Sequence, residues 1–73
     1  MPEIIQWNCK GLRTRAEELK VLMRDHNPYI VCLQETKLGY NLYNPGLNYN
    51  FYRSSPISDR AKGGTAILVR KAL

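Results

Sequence analysis

Tyr29-Ile30-Val31-Cys32-Leu33-Gln34-Glu35 is five apolar residues, an amide and a carboxylate in a row. An apolar run without alternation reads as a strand covered on both faces, as in a parallel sheet. Asn27-Pro28 stands in front of it and ends any helix there, because the residue before proline avoids the helical region. Upstream, Thr14-Arg15-Ala16-Glu17 is spelled as a capping box, with the Thr14 hydroxyl accepting from the Glu17 amide. Ala16, Leu19, Leu22, Met23 and His26 recur at three-to-four spacing and form one inward stripe. Glu18, Lys20, Arg24 and Asp25 fall on the opposite face. The pattern predicts a helix over 15–26, with His26 in a packing role.

Further upstream, Ile4-Ile5-Gln6-Trp7-Asn8-Cys9 precedes the breaker Lys10-Gly11 and predicts a strand over 3–9. Trp7 and Tyr29 read as core. Strand, helix and strand with short connections make a βαβ unit, with parallel strands and a right-handed crossover. Parallel neighbours bring their carboxyl ends to one sheet edge. Asn8 and Glu35 are therefore expected side by side, on the edge where open α/β sheets bind ligands.

Downstream, residues 39–50 are rich in Gly, Asn and Pro with interleaved tyrosines, which reads as a structured loop. A short strand over 49–54, a polar loop over 55–64 and a β-branched strand over 65–70 are expected to form a long-looped hairpin. No repeat, low-complexity tract or second domain is visible.

The 73 residues, 44% hydrophobic and 23% charged, describe one small globular unit and argue against a disordered tail. The longest apolar runs, 29–33 and 66–69, fall far short of the ~20 residues a bilayer span needs, which excludes a membrane protein. No signal peptide is visible at Met1. A chain this short buries only ~60% of its unfolded surface. One helix cannot cover both faces of the 29–33 strand, so the isolated chain is expected to be partly molten or aggregation-prone. Cys9 and Cys32 read as reduced core residues. With His26 they are too scattered for zinc. The net charge is +5. Residues 38–73 carry Arg53, Arg60, Lys62, Arg70 and Lys71 against Asp59 alone, an excess that fits a polyanion such as nucleic acid or a solvated surface.

Glu35 carries the chemistry. A carboxylate at the rim of a core needs a cation, a hydrogen-bond network or water. Mg²⁺ takes one or two carboxylates plus waters and substrate phosphate, and the Asn8 amide oxygen sits where it can support that ion. The plain alternative is a solvated strand-end acid. Gln34 either bonds across the sheet or fills a polar pleat position. Lys10, Arg13 and Arg15 surround the helix start, where a phosphate can dock or the cations are simply solvated. Tyr40, Tyr43 and Tyr49 either stack on bases or fill the loop's own core. No Asp pair, Ser/His/Asp set or phosphate-binding glycine loop is present, and Gly63-Gly64 is too short to count as one. One carboxylate and one amide do not make a hydrolytic centre.

Three segments in register resemble the endonuclease/exonuclease/phosphatase superfamily. They are Ile4-Ile5-Gln6-Trp7-Asn8-Cys9-Lys10-Gly11-Leu12, then Ile30-Val31-Cys32-Leu33-Gln34-Glu35-Thr36, then Gly63-Gly64-Thr65-Ala66-Ile67-Leu68-Val69. Their wording is most similar to the apurinic-like endonuclease domain of non-LTR retrotransposons of the jockey type. The resemblance implies an α/β fold, with residues 1–73 as the N-terminal part of a four-layered α/β sandwich. It implies Mg²⁺- or Mn²⁺-dependent phosphodiester hydrolysis that nicks DNA for target-primed reverse transcription. Asn8 matches the family's first active-site asparagine and Glu35 its metal-binding glutamate. The implied partners are DNA, the remainder of the endonuclease domain and a reverse transcriptase in the parent polyprotein, with no membrane. The implied location is intracellular and nuclear. The family's later Asp-x-Asn and Ser-Asp-His segments are not in these 73 residues, so the piece alone is expected to be inactive. Two other readings stand beside this one: part of a superfamily phosphatase or nuclease with another phosphoester substrate, and a non-catalytic basic nucleic-acid-binding remnant.

Overall fold

The computed structural model describes residues 3–39, 43, 48–54 and 63–71. Its elements are β1 (Ile4–Asn8), α1 (Ala16–His26), β2 (Ile30–Gln34), β3 (Tyr49–Arg53) and β4 (Thr65–Arg70). They form one mixed sheet in the order β1-β2-β4-β3. β1 and β2 run parallel, as the βαβ reading requires, with Asn8 beside Gln34. β4 pairs antiparallel with β2 and with β3, so the expected hairpin is present and one of its strands docks on the βαβ unit. Tyr40 and the 55–62 part of the expected polar loop lie outside the described residues.

The register sorts side chains into two faces. Ile5, Val31, Leu68 and Phe51 align in one row, and Trp7, Leu33, Ala66 and Arg53 in the next. Leu19 and Met23 of α1 pack on this face, joined by Cys9, Leu12 and Leu38. The other face shows Ile4, Ile30 and Val69, then Gln6, Cys32, Ile67 and Tyr52. It is open: Ile4 is 65% exposed and Tyr52 is 59% exposed. β2 was expected to be covered on both faces. Among the described residues it is covered on one, because a single helix masks only one side of a sheet. Cys32 lies on the open side and is half-buried, not a core residue.

Three local expectations are corrected. The capping box does not form. Leu12–Arg15 instead makes a turn in which the Arg15 N–H donates to Gly11 O and Leu12 O. The helix starts after it, with Arg15 at the cap position and no side-chain cap. His26 is not packed: it is 55% exposed, and its Nδ1 lies 3.1 Å from Glu3 Oε1. The spacing places it on the stripe, but at the last turn it meets the exposed Glu3 carboxylate instead of the core. Tyr29 is exposed rather than core, and the Arg70 guanidinium lies over its ring at 5.6 Å. Asn27 ends the helix as expected, in the left-handed region with φ 45, a conformation asparagine tolerates.

Candidate functional site

β1 and β2 end together, and their ladder continues past the strand ends. The Cys9 N–H donates to Gln34 O at 3.1 Å, Gly11 to Glu35 O at 2.8 Å and Leu12 to Thr36 O at 2.8 Å. On the other side, Thr36 donates to Gly64 O at 3.2 Å and Lys37 to Gly63 O at 2.6 Å. The segment 34–37 is thus clamped between the loop after β1 and the glycine pair before β4. Glu35 sits in the middle of this clamp, with backbone held in the left-handed region at φ 54.

The Asn8 side-chain amide donates to the Glu35 carboxylate. The two residues that the strand order was expected to bring together are in direct contact. The donation uses one of the carboxylate's roughly four lone-pair sites. The rest of the carboxylate and the Asn8 carbonyl oxygen are hard oxygen donors of the kind a divalent cation takes, completed by water. The residue types present therefore fit a Mg²⁺ or Mn²⁺ ion. No group of three or more His, Cys, Asp or Glu gathers among the described residues.

Cys9 lies directly behind the pair. Its thiol reaches Gln34 O at 3.4 Å and Glu35 O at 3.7 Å. Burial pushes its pKa above the ordinary value, and the nearby Glu35 charge adds to this. The shift favours the protonated thiol, which packs against these two carbonyls.

Thr36 and Gly64 are the site residues that strand reading alone passes over. Thr36 is 2% exposed. A Cβ on Gly64 would stand 2.8 Å from Thr36 Oγ1, and Gly64 has φ +90. Only glycine allows this approach at this backbone angle. The signal was the Gly63-Gly64 pair, whose role is backbone clasping of the segment that carries Glu35.

The cations divide. Arg15 pairs with Glu18 at 3.2 Å, Arg53 donates to Gly39 O, and Arg70 donates to Asn27 O at 3.0 Å. Lys10, Arg13 and Lys37 are exposed. Arg53 and Arg70, counted in the basic excess, are thus structural; Arg60 and Lys62 lie outside the described residues. Tyr43 stacks edge-on with Phe51 at 5.3 Å, and the Tyr49 hydroxyl donates to Pro28 O at 2.7 Å. These two tyrosines pack rather than face a ligand, and burial raises the pKa of both.

Comparison with known proteins places this arrangement. The profile of the Endonuclease/Exonuclease/phosphatase family matches residues 5–73. The RNA-directed DNA polymerase from mobile element jockey of Drosophila melanogaster is 32% identical over 69 residues, covering 92% of this chain and 7% of that protein. An AP endonuclease from Archaeoglobus fulgidus superposes with a TM-score of 0.80 at 23% identity, over 94% of this chain and 27% of its own. The catalytic domain of Xenopus laevis APE2 superposes with a TM-score of 0.74 at 31% identity, over 92% of this chain and 23% of its own. The chain thus spans about a quarter of the length of these nuclease structures and a small fraction of the jockey polymerase. With its parallel β1–β2 pair, its glycine clasp and a family match reaching from β1 to the last residue, the chain belongs to the endonuclease/exonuclease/phosphatase family.

Proposed function

We propose that the chain is the N-terminal part of a divalent-metal-dependent endonuclease domain that nicks DNA for a jockey-type non-LTR retrotransposon. The observation that carries this is the Asn8–Glu35 contact at the shared carboxyl edge of β1 and β2, in a chain similar to the jockey polymerase. Mg²⁺ or Mn²⁺, when bound, supplies Lewis-acid stabilisation of charge on a phosphodiester. Glu35 is the residue that holds the ion. Asn8 holds the Glu35 carboxylate in one orientation and offers its own carbonyl oxygen towards the ion or a water on it. The clamp from Gly11, Gly63 and Gly64 keeps the carboxylate at the rim rather than folded back on the sheet.

The rest of the catalytic set is assigned to the remainder of the endonuclease domain, so residues 1–73 alone bind metal weakly and turn over nothing. A reverse transcriptase in the same polyprotein uses the nick, and the parent protein works on chromosomal DNA in the nucleus. The test is relaxation of supercoiled plasmid in Mg²⁺, by the 73-residue chain and by a chain extended over the whole domain. The short chain is expected to be silent. The extended one is expected to nick, with a loss of about 10²-fold or more in Glu35→Ala. Nicking by the 73-residue chain, or full activity of the extended Glu35→Ala variant, overturns the proposal.

A further inference from the structure

Three carbonyls in succession face the segment after β1. Gln34 O accepts from the Cys9 N–H at 3.1 Å, Glu35 O from Gly11 at 2.8 Å and Thr36 O from Leu12 at 2.8 Å. In a straight parallel ladder the bonds are evenly spaced, and a given neighbour meets every second carbonyl. Here the left-handed backbone of Glu35, at φ 54, turns its carbonyl to the same side as that of Gln34. Two carbonyl dipoles thus converge where an ordinary strand holds them apart.

One side chain stands at that convergence. The Cys9 thiol lies 3.4 Å from Gln34 O and 3.7 Å from Glu35 O. Cys9 is 1% exposed, so bulk water does not reach it. Each carbonyl oxygen has two lone pairs, and a backbone amide uses one on each. The thiol is a further donor, weak, whose one proton serves either oxygen. The two carbonyls belong to the peptide units on either side of the Glu35 Cα. Holding both peptide planes holds the direction of the Glu35 Cα–Cβ bond, and with it the place of the carboxylate. Asn8 and Cys9, consecutive at the end of β1, therefore grip Glu35 from two sides. Asn8 donates to the carboxylate, and Cys9 donates to the backbone behind it. Space-filling alone does not ask for sulfur here, because valine is of similar size and at least as common in cores.

We infer that Cys9 is a positioning residue: its thiol, as a donor rather than as a space-filler, sets the direction in which Glu35 presents its carboxylate to a divalent cation. The cation rests on the nuclease reading above; the orientation of the carboxylate does not. The experiment uses the chain extended over the whole domain, with Cys9→Val, Cys9→Ser, Cys9→Ala and Glu35→Ala. Valine keeps the volume and removes the donor. Serine keeps a donor and loses volume. Alanine loses both. Three quantities are measured: the melting midpoint by circular dichroism, Mn²⁺ affinity by calorimetric titration without DNA, and the amide NMR signal of the Asn8 side chain in EDTA. That signal is identified by its absence in Asn8→Ser. Melting midpoints are expected to follow volume, with Cys9→Val near the parent and Cys9→Ser and Cys9→Ala below it. Mn²⁺ affinity is expected to follow the donor instead. Cys9→Val and Cys9→Ala lose about 10-fold, as changes behind a metal ligand do, while Cys9→Ser stays near the parent. The Asn8 signal moves in Cys9→Val and Cys9→Ala and holds in Cys9→Ser. Where Glu35→Ala weakens Mn²⁺ binding, parent-like affinity in Cys9→Val sinks the positioning role alone. An equal loss in Cys9→Ser, or affinity that falls in step with the melting midpoint, also overturns it and leaves Cys9 a packing residue. If Glu35→Ala binds Mn²⁺ as the parent does, the nuclease reading fails. The Asn8 signal then decides: movement in Cys9→Val upholds the positioning role, and no movement overturns it.

Discussion

The two ends of the sheet handle the same residue types in opposite ways. At the end where α1 stops, most of the described charges and turns are closed off, with Lys71 left exposed. Arg70 donates to Asn27 O and stacks on Tyr29, Tyr49 donates to Pro28 O, and His26 meets Glu3. The left-handed residue there is Asn27, a cheap occupant. At the Glu35 end, left-handed backbone falls on Lys10, Glu35 and Lys37, and both lysines are left to solvent. A cation at a helix C-terminus is stabilising in itself; an exposed lysine on left-handed backbone is not. The difference marks one end as built for stability and the other as built for a ligand, consistent with strain collecting at functional sites.

The sharpest way to break this comparison is Gly64→Ala. It forces a Cβ to within 2.8 Å of Thr36 Oγ1 at φ +90, and is expected to cost about 2–3 kcal/mol. Gly63→Ala, with nothing within 4 Å of its Cβ, is expected to cost only the backbone term, about 1 kcal/mol. Urea melts of the two variants, made in the chain extended over the whole domain, check this. Equal losses would mean that the Thr36 contact does not matter and the clasp is mere turn geometry.

Next in size is Tyr49→Phe at the closed end, which leaves Pro28 O without its buried donor. About 1–2 kcal/mol of stability is expected to go, with Glu35-dependent nicking by the extended domain unmoved. A change in that nicking would show that the two ends are not independent. Arg70→Gln is expected to cost about 0.5–1 kcal/mol, because its partners are exposed. It too should leave nicking alone, even though it removes a positive charge.

The smallest effect is in pH. Burial raises the pKa of the Cys9 thiol above its ordinary 9.0 and of the Tyr49 hydroxyl above its ordinary 10.0. The folded state therefore binds these protons more tightly than the unfolded state. Their contribution is full below pH 9 and is lost as pH rises through the raised values. Denaturant midpoints should fall with pH from about 9 upward in the parent. In Cys9→Ala the part of the fall that begins near pH 9 should vanish, and in Tyr49→Phe the part that begins near 10. An unchanged profile in both would assign the alkaline loss elsewhere.

Much of this architecture was legible from local rules. The strands around Trp7 and Leu33, the helix ending at His26, and the meeting of Asn8 with Glu35 follow from period, punctuation and the handedness of βαβ units. Each of these acts over short separations or through one topological rule. Where several local readings compete, tertiary context chose. The turn at Leu12–Arg15 displaced the Thr14–Glu17 capping box, because Leu12 is drawn into the core beneath the rim. His26 follows the stripe in sequence but stays exposed beside Glu3.

The chain's own order of residues settled that a carboxylate and an amide share one sheet edge, since parallel strands leave no other arrangement. Only the folded molecule decided how that edge is held. β4 had to dock against β2 before Gly63 and Gly64 could clasp Thr36 and Lys37, across some thirty residues that no local rule spans. The left-handed turns at Lys10, Glu35 and Lys37 have the same origin. Nothing in a lysine or a glutamate asks for that conformation; hydrogen bonds from two distant segments impose it.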